Sequence, residues 1–232
     1  MAQKRELPGV VVIAAKGKQW MEACTGSVVR VIAHGSTFEN YVLTARHCLV
    51  RDKEGPLPLG VTVPQYDDDS LALESEVFAA TVAYVSRTNH TSTAGTVVWD
   101  DGDWTILRVR TPFRLAVLEA FDRDPKTAIP PGTSLELLSY ADGAFIDRHA
   151  NRWGLCAHAH PFHWTGVPED IEQGGHSGAP VTWNGKLVAM FVGATENSLG
   201  CQLFCGERWP KKLHFVSVAA VREQAAKVGF RF

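Results

Sequence analysis

Short runs of β-branched and aromatic residues, cut at close intervals by Gly, Asn, Asp and Pro, fill this chain, and helical periodicity is absent until the last segment. Alternating side chains suit strands, and such frequent reversals leave little room for long helices. Strands are expected at residues 10–15, 25–33, 41–44, 77–85 and 104–109. A second group is expected at 134–140, 152–160, 179–183, 187–192 and 213–218. Between the groups, residues 111–132 are rich in Pro and charge and read as a connector. Trp183-Asn184-Gly185-Lys186 reads as a type I′ hairpin turn, because Asn and Gly tolerate the positive φ that this turn demands. Only residues 218–228 carry apolar positions at helical spacing, with Ser217 as the expected N-cap and Gly229 as the stop. This pattern suits a barrel or a sandwich.

Composition excludes several classes of partner. The net charge of the 232 residues is −2, with no basic or acidic block, so neither nucleic acid nor a membrane surface is expected. The longest apolar run, residues 9–15, is too short to span a bilayer and is followed by no cleavage-site pattern. The expected setting is therefore cytoplasmic, or that of a piece cut from something larger. Five cysteines, an odd number, argue against a fully paired secreted framework.

Three short stretches carry chemistry. In GGHSGAP, residues 174–180, a serine stands among glycines that would expose it and turn backbone amides towards an oxyanion. In LTARHC, residues 43–48, an apolar strand ends in a histidine. In DWTIL, residues 103–107, an aspartate opens an apolar strand. Serine alone is a poor nucleophile. A histidine can take its proton near neutral pH, and a carboxylate can hold that histidine in the needed tautomer.

These residues, in the order His47, Asp103, Ser177, resemble the trypsin/chymotrypsin-like serine protease family. LTARHC is similar to the family's LTAAHC, DWTIL to DIALL, GGHSGAP to GDSGGP, and VTWNGKLVAMFVGA, residues 181–194, to LVCNGQLVGIVSWG. The resemblance spans roughly residues 10–228. It implies an all-β fold of two six-stranded antiparallel barrels with a C-terminal helix. Residues 1–112 would carry the histidine and aspartate, and 113–232 the serine. It implies a serine endopeptidase that acts on protein or peptide substrates and needs no cofactor and no metal. His47 would be the general base, Asp103 its partner (Asp100 and Asp101 are rivals) and Ser177 the nucleophile. The amides of Gly175 and Ser177 would form the oxyanion hole, and Val192, Gly193 and Ala194 an extended strand that pairs with substrate backbone. The alternative is an inactive peptide-binding module of the same fold.

The departures from the family are informative. His176 stands where digestive relatives carry the aspartate that pairs with a new N-terminus, and the IVGG start is missing. Both features suit a bacterial- or viral-type relative that folds directly in active form, in a host cytoplasm if viral, with an activating partner unknown. The resemblance brings Cys24 near Cys48, positions that relatives often join. In a cytoplasm two neighbouring buried thiols are expected. Ile171 and Glu172 lie where the specificity pocket is built. An acidic wall there favours a basic P1 residue, whereas Leu213, His214 and Phe215 would reshape the pocket for a small or apolar one. Cys156, His158, His160 and His163, with Cys201 and Cys205, could hold a structural zinc. A Cys201–Cys205 disulfide, free thiols, or a polar strand face lining the cleft are the other readings. The tryptophans Trp99, Trp104, Trp153, Trp164 and Trp183 read as packing residues.

Overall fold

A computed structural model of the chain describes residues 7–16, 20–49, 51–52, 55–56, 58–62, 76–86, 102–130, 133–141, 145–152, 176–196 and 211–232. The first half is a closed barrel. Its strands are β1 (Val10–Lys16), β2 (Trp20–His34), β3 (Thr37–Thr44), β6 (Leu59–Thr62), β7 (Val77–Val85) and β8 (Thr105–Thr111), in the order β1-β2-β3-β8-β7-β6. A two-residue ladder, β4 (Arg51–Asp52) with β5 (Gly55–Pro56), lies outside it. Every neighbouring pair in the barrel is antiparallel, and β1 closes it by pairing Val12–Ala15 with β6. Closure requires tilt and curvature. Three register shifts, at Ile13/Ala14, Val28/Arg30 and Val82/Tyr84, fall in strands that must bend. The barrel is filled by β-branched and leucine side chains, among them Ile13, Val28, Val42, Leu43, Val61, Ile106 and Leu107, each fully buried. Burial of each of these contributes about 2 kcal/mol.

The second half is a five-stranded antiparallel sheet in the order β10-β9-β11-β12-β13. The strands are β9 (Ser134–Ala141), β10 (Phe145–Arg152), β11 (Pro180–Trp183), β12 (Lys186–Glu196) and β13 (Lys211–Ser217). Among the described residues this sheet does not close, so the expected second six-stranded barrel is present here only as an open sheet. The strand expected at 152–160 lies outside the described residues, apart from Arg152. The strand before it, β10, is one that the sequence did not signal. The hairpin at Trp183 forms as expected, with Asn184 at φ 50° and Gly185 at φ 72°.

The sheet is covered on both faces. Leu187, Met190, Val192 and Val216 join the apolar cluster of the barrel, whereas Val188, Ala189, Phe191 and Phe215 pack with Leu135, Leu137 and Val181 in a second cluster. The described part of the connector, residues 111–130, is a strap between the two halves. Its Leu118 N–H donates to the Val28 carbonyl of the barrel at 2.8 Å, and Phe121 and Glu119 exchange backbone bonds with Leu187 of the sheet at 2.9 and 2.8 Å. It also holds the one-turn helix α1 (Pro125–Ala128).

The C-terminal helix α2 (Val218–Lys227) buries Val218, Val221 and Ala225 along one stripe. Ser217 occupies the N-cap position, but its side chain makes no capping bond, contrary to expectation. The C-terminus stops as expected: Gly229, at φ 84°, donates to Ala226 O, and Phe230 donates back to Ala225 O at 3.0 Å. This double bond pattern is the Schellman motif, and the positive φ requires glycine. Trp104 Nε1–H donates to Gln224 Oε1 at 2.9 Å, which ties the helix to the start of β8.

Candidate active site

β3 ends at Thr44, and the chain turns through a 3₁₀ segment, Arg46–Cys48, that presents His47. Two backbone bonds hold that turn, Cys48 N to Ala45 O at 3.1 Å and Leu49 N to Arg46 O at 3.0 Å. The neighbouring strand β8 begins just after Asp103, so pairing of Thr44 with Thr105 brings the aspartate beside the histidine. Asp103 binds His47 twice. Its Oδ1 accepts the His47 backbone N–H at 3.0 Å, and its Oδ2 lies 2.7 Å from Nδ1.

Exposure separates the two groups: the Asp103 side chain is fully buried, whereas that of His47 is 32% exposed. A buried carboxylate needs hydrogen-bond donors to offset its desolvation, and His47 supplies two. With Nδ1–H donating to Asp103, the neutral ring keeps its lone pair on Nε2. The pair can therefore take up a proton at Nε2 while Asp103 stabilises the cation that results. The rivals Asp100 and Asp101 lie outside the described residues.

Ser177 lies in the turn before β11, and β2 binds this turn. Thr25 N–H donates to the Ser177 carbonyl at 2.8 Å, and Thr44 Oγ1–H donates to the Thr25 carbonyl at 2.7 Å. Gly178, at φ 83°, fits against this junction so closely that a Cβ would coincide with the Thr25 carbonyl oxygen and Thr44 Oγ1 and press on Ala45 N. Only glycine fits there. The turn is joined to the second sheet through Gly178 N to Phe191 O at 2.7 Å and Phe191 N to Ala179 O at 2.8 Å.

The residue before Thr25 completes the assembly. Cys24 and Cys48 form a disulfide, with Cα atoms 6.1 Å apart. This corrects the expectation of two free thiols. β2 and the 3₁₀ turn place the two buried side chains within bonding reach. Thr25 holds the serine turn and Cys24 holds the residue next to His47, so one point of β2 anchors both. His47 and the two cysteines also bring nitrogen and sulfur atoms within 4.8 Å of one another, but the disulfide occupies both sulfurs.

The other expected site residues divide. Val192, Gly193 and Ala194 lie in β12, with Gly193 opposite His214 and Ala194 opposite Leu213. The Val192 side chain is buried in the core, and β11 pairs with β12 only as far as Met190. Beyond Met190, that edge of β12 has no strand partner among the described residues. His176 is buried and hydrogen-bonded to Ser139 Oγ through Nδ1 at 2.7 Å, a contact that the sequence did not signal. Gly175, Ile171, Glu172 and the residues Cys156, His158, His160, His163, Cys201 and Cys205 lie outside the described residues.

No family model matches this chain, and no curated protein matches its sequence. Solved structures do match its shape, among them kallikrein-related peptidase 10 in complex with Zn²⁺. The two superpose with a TM-score of 0.61 at 16% identity, over 99% of this chain and 98% of that one. The chain therefore has a chymotrypsin-like fold. No helix among the described residues is long and apolar enough to cross a membrane.

Proposed function

We propose that the chain is a serine endopeptidase working through Ser177, His47 and Asp103. The observation that carries this reading is the doubly bonded, buried Asp103 on His47, with the Ser177 carbonyl held by Thr25 of β2, the residue next to the Cys24–Cys48 link to the His47 turn.

Ser177 Oγ attacks the carbonyl carbon of a peptide bond while His47 Nε2 takes the hydroxyl proton. The carbonyl oxygen becomes an oxyanion, received by the N–H groups of Ser177 and Gly175. His47 then gives its proton to the leaving amine, the C–N bond breaks, and an acyl-Ser177 ester remains. A water molecule, deprotonated by His47, hydrolyses the ester and restores the enzyme. Substrate backbone adds to the open edge of β12 at Val192–Ala194. No cofactor or metal enters any of these steps. Glu172, with Ile171, is the residue to vary first for P1 preference. Disulfides persist in oxidising compartments and are rare in a reducing cytoplasm, so the Cys24–Cys48 bond weighs for the former against the cytoplasmic setting expected from sequence.

The test is an activated ester, p-nitrophenyl acetate, mixed with the protein and quenched in acid. Acetyl on Ser177 in the peptide map, with a burst of about one equivalent, supports the reading. A folded protein that never acetylates Ser177 overturns it and leaves a peptide-binding module.

A further inference from the structure

The residue before the proposed nucleophile is a histidine, and it is sealed in the protein. His176 is 2% exposed, its Nδ1 lies 2.7 Å from Ser139 Oγ on β9, and its ring stands edge-on to Phe191 of β12. Ser139 is fully buried as well. Neither side chain suits such a position for packing alone, since an apolar pair would fill the space without a desolvation cost. Each meets a hydrogen-bonding need of the other, and the pair fixes how the chain enters the serine turn.

Geometry gives this contact a consequence. The peptide that joins His176 to Ser177 is trans, so its C=O and N–H point in opposite directions. Its C=O accepts the Ala179 N–H at 2.9 Å. The N–H of the same peptide, that of Ser177, is thereby aimed the other way, and it is one of the two donors proposed for the oxyanion. Thr25 grips the far side of Ser177 through its carbonyl at 2.8 Å. The His176 side chain supplies the matching anchor on the near side.

We propose that Ser139 and His176 are positioning residues that latch the nucleophile turn, holding the 176–177 peptide so that the Ser177 N–H meets the developing oxyanion. The proposal rests on Ser177 being the nucleophile. The latch lies wholly inside the second sheet, between β9, β12 and the serine turn. Since the oxyanion exists only near the transition state, loosening the latch lowers the rate of the chemical step and leaves ground-state binding unchanged.

The test uses the full chain with Ser139→Ala, His176→Asn, His176→Leu and the Ser139→Ala/His176→Leu double variant. Asparagine is chosen because its amide stands where Nδ1 stands in histidine. Two quantities are read: inactivation by a fluorophosphonate, split into binding constant and maximal rate, and hydrogen exchange at the Gly178 and Ala179 amides. Ser139→Ala lowers the maximal rate about tenfold with the binding constant unchanged, and both amides exchange faster. His176→Asn stays within about threefold of the natural protein, His176→Leu does not, and the double variant is no slower than the slower single one.

Unchanged rate and exchange in Ser139→Ala overturn the latch, as do equal losses for Asn and Leu or additive losses in the double variant. Ser139→Ala is a small change, so the test survives if His176→Leu fails to fold. The exchange readout needs no activity. Absence of labelling in the natural protein overturns the nucleophile reading alone, whereas unchanged exchange in Ser139→Ala overturns the latch.

Discussion

The two halves of this molecule solve different problems. The barrel is closed on itself, and it holds His47 and Asp103 on adjacent strand ends, joined by bonds of 2.7 and 3.0 Å. The second sheet is open among the described residues, and it delivers Ser177 on a turn whose fixed points lie partly in the other half. A base and its carboxylate can be set by one rigid ladder. The proposed nucleophile, which would meet them across a boundary, has to be located from both sides. Thr25 and Thr44 do this from the barrel side, and Phe191 and Ser139 from the sheet side.

The comparison can be broken first at the base. Asp103→Asn leaves the shape of the barrel but forces the wrong His47 tautomer, and we expect kcat to fall about 10⁴-fold, as such a change does in a Ser-His-Asp triad. Steady-state hydrolysis of a chromogenic ester measures this, and a loss under about tenfold would remove Asp103 from the mechanism. The junction comes next. Gly178→Ala places a methyl group onto the Thr25 carbonyl and Thr44 Oγ1 at a positive φ. We expect about 3 kcal/mol of lost stability together with lost acylation, read by urea titration and ester burst. An alanine variant of normal stability and burst would show that the turn is not located there.

The disulfide sharpens the comparison within the barrel. Cys24 and Cys48 are 24 residues apart in sequence, and opening that loop by Cys24→Ser/Cys48→Ser costs about 3 kcal/mol in the chain-entropy account. The midpoint of denaturant unfolding reports it. If β2 is the shared anchor, activity per folded molecule falls as well. Stability lost with activity intact would make the bond a staple and nothing more.

The smallest effect belongs to a part of the barrel away from the site. Glu39 is buried, and its carboxyl lies below the usual range, chiefly because Tyr41 O–H donates to it at 2.6 Å, with Arg108, His34 and Arg110 adding positive charge against the cost of burial. A folded-state pKa below the unfolded one contributes stability above the ordinary carboxylate range, and that contribution is lost as pH falls through the lowered value. Glu39→Gln should therefore cost about 1 kcal/mol at pH 7, less as the medium is acidified, with no change in catalytic rate. Unfolding at two pH values checks the trend, and a pH-independent difference would discard it.

Much of this was legible because particular residues allow few alternatives. Asn184-Gly185 could hardly be anything but a positive-φ turn, and it is one. The β-branched run that became β1 and the alternation that became β7 match their strands closely. β10 was hidden because Phe145–Arg152 is charged and polar over most of its length, and tertiary pairing with β9 overrides that weak propensity. Closure of the first barrel was implied by the resemblance, but β6, the strand that closes it on β1, was hidden, because Leu59–Thr62 is only four residues long and its pairing joins distant segments. The His47–Asp103 contact follows the motifs, and the bond from His176 to Ser139 does not, since a buried histidine and a buried serine 37 residues apart share no pattern. The Cys24–Cys48 proximity was readable and its oxidation was not, because oxidation depends on surroundings that residues do not encode.

The measurement that bears most directly on the whole account is labelling by a fluorophosphonate, followed by peptide mass mapping, on the natural chain, Ser177→Ala and Asp103→Asn. The account predicts one label on Ser177, none in Ser177→Ala, and a strongly slowed reaction in Asp103→Asn. A folded chain that stays unlabelled at Ser177, or reacts equally well without Asp103, would contradict it.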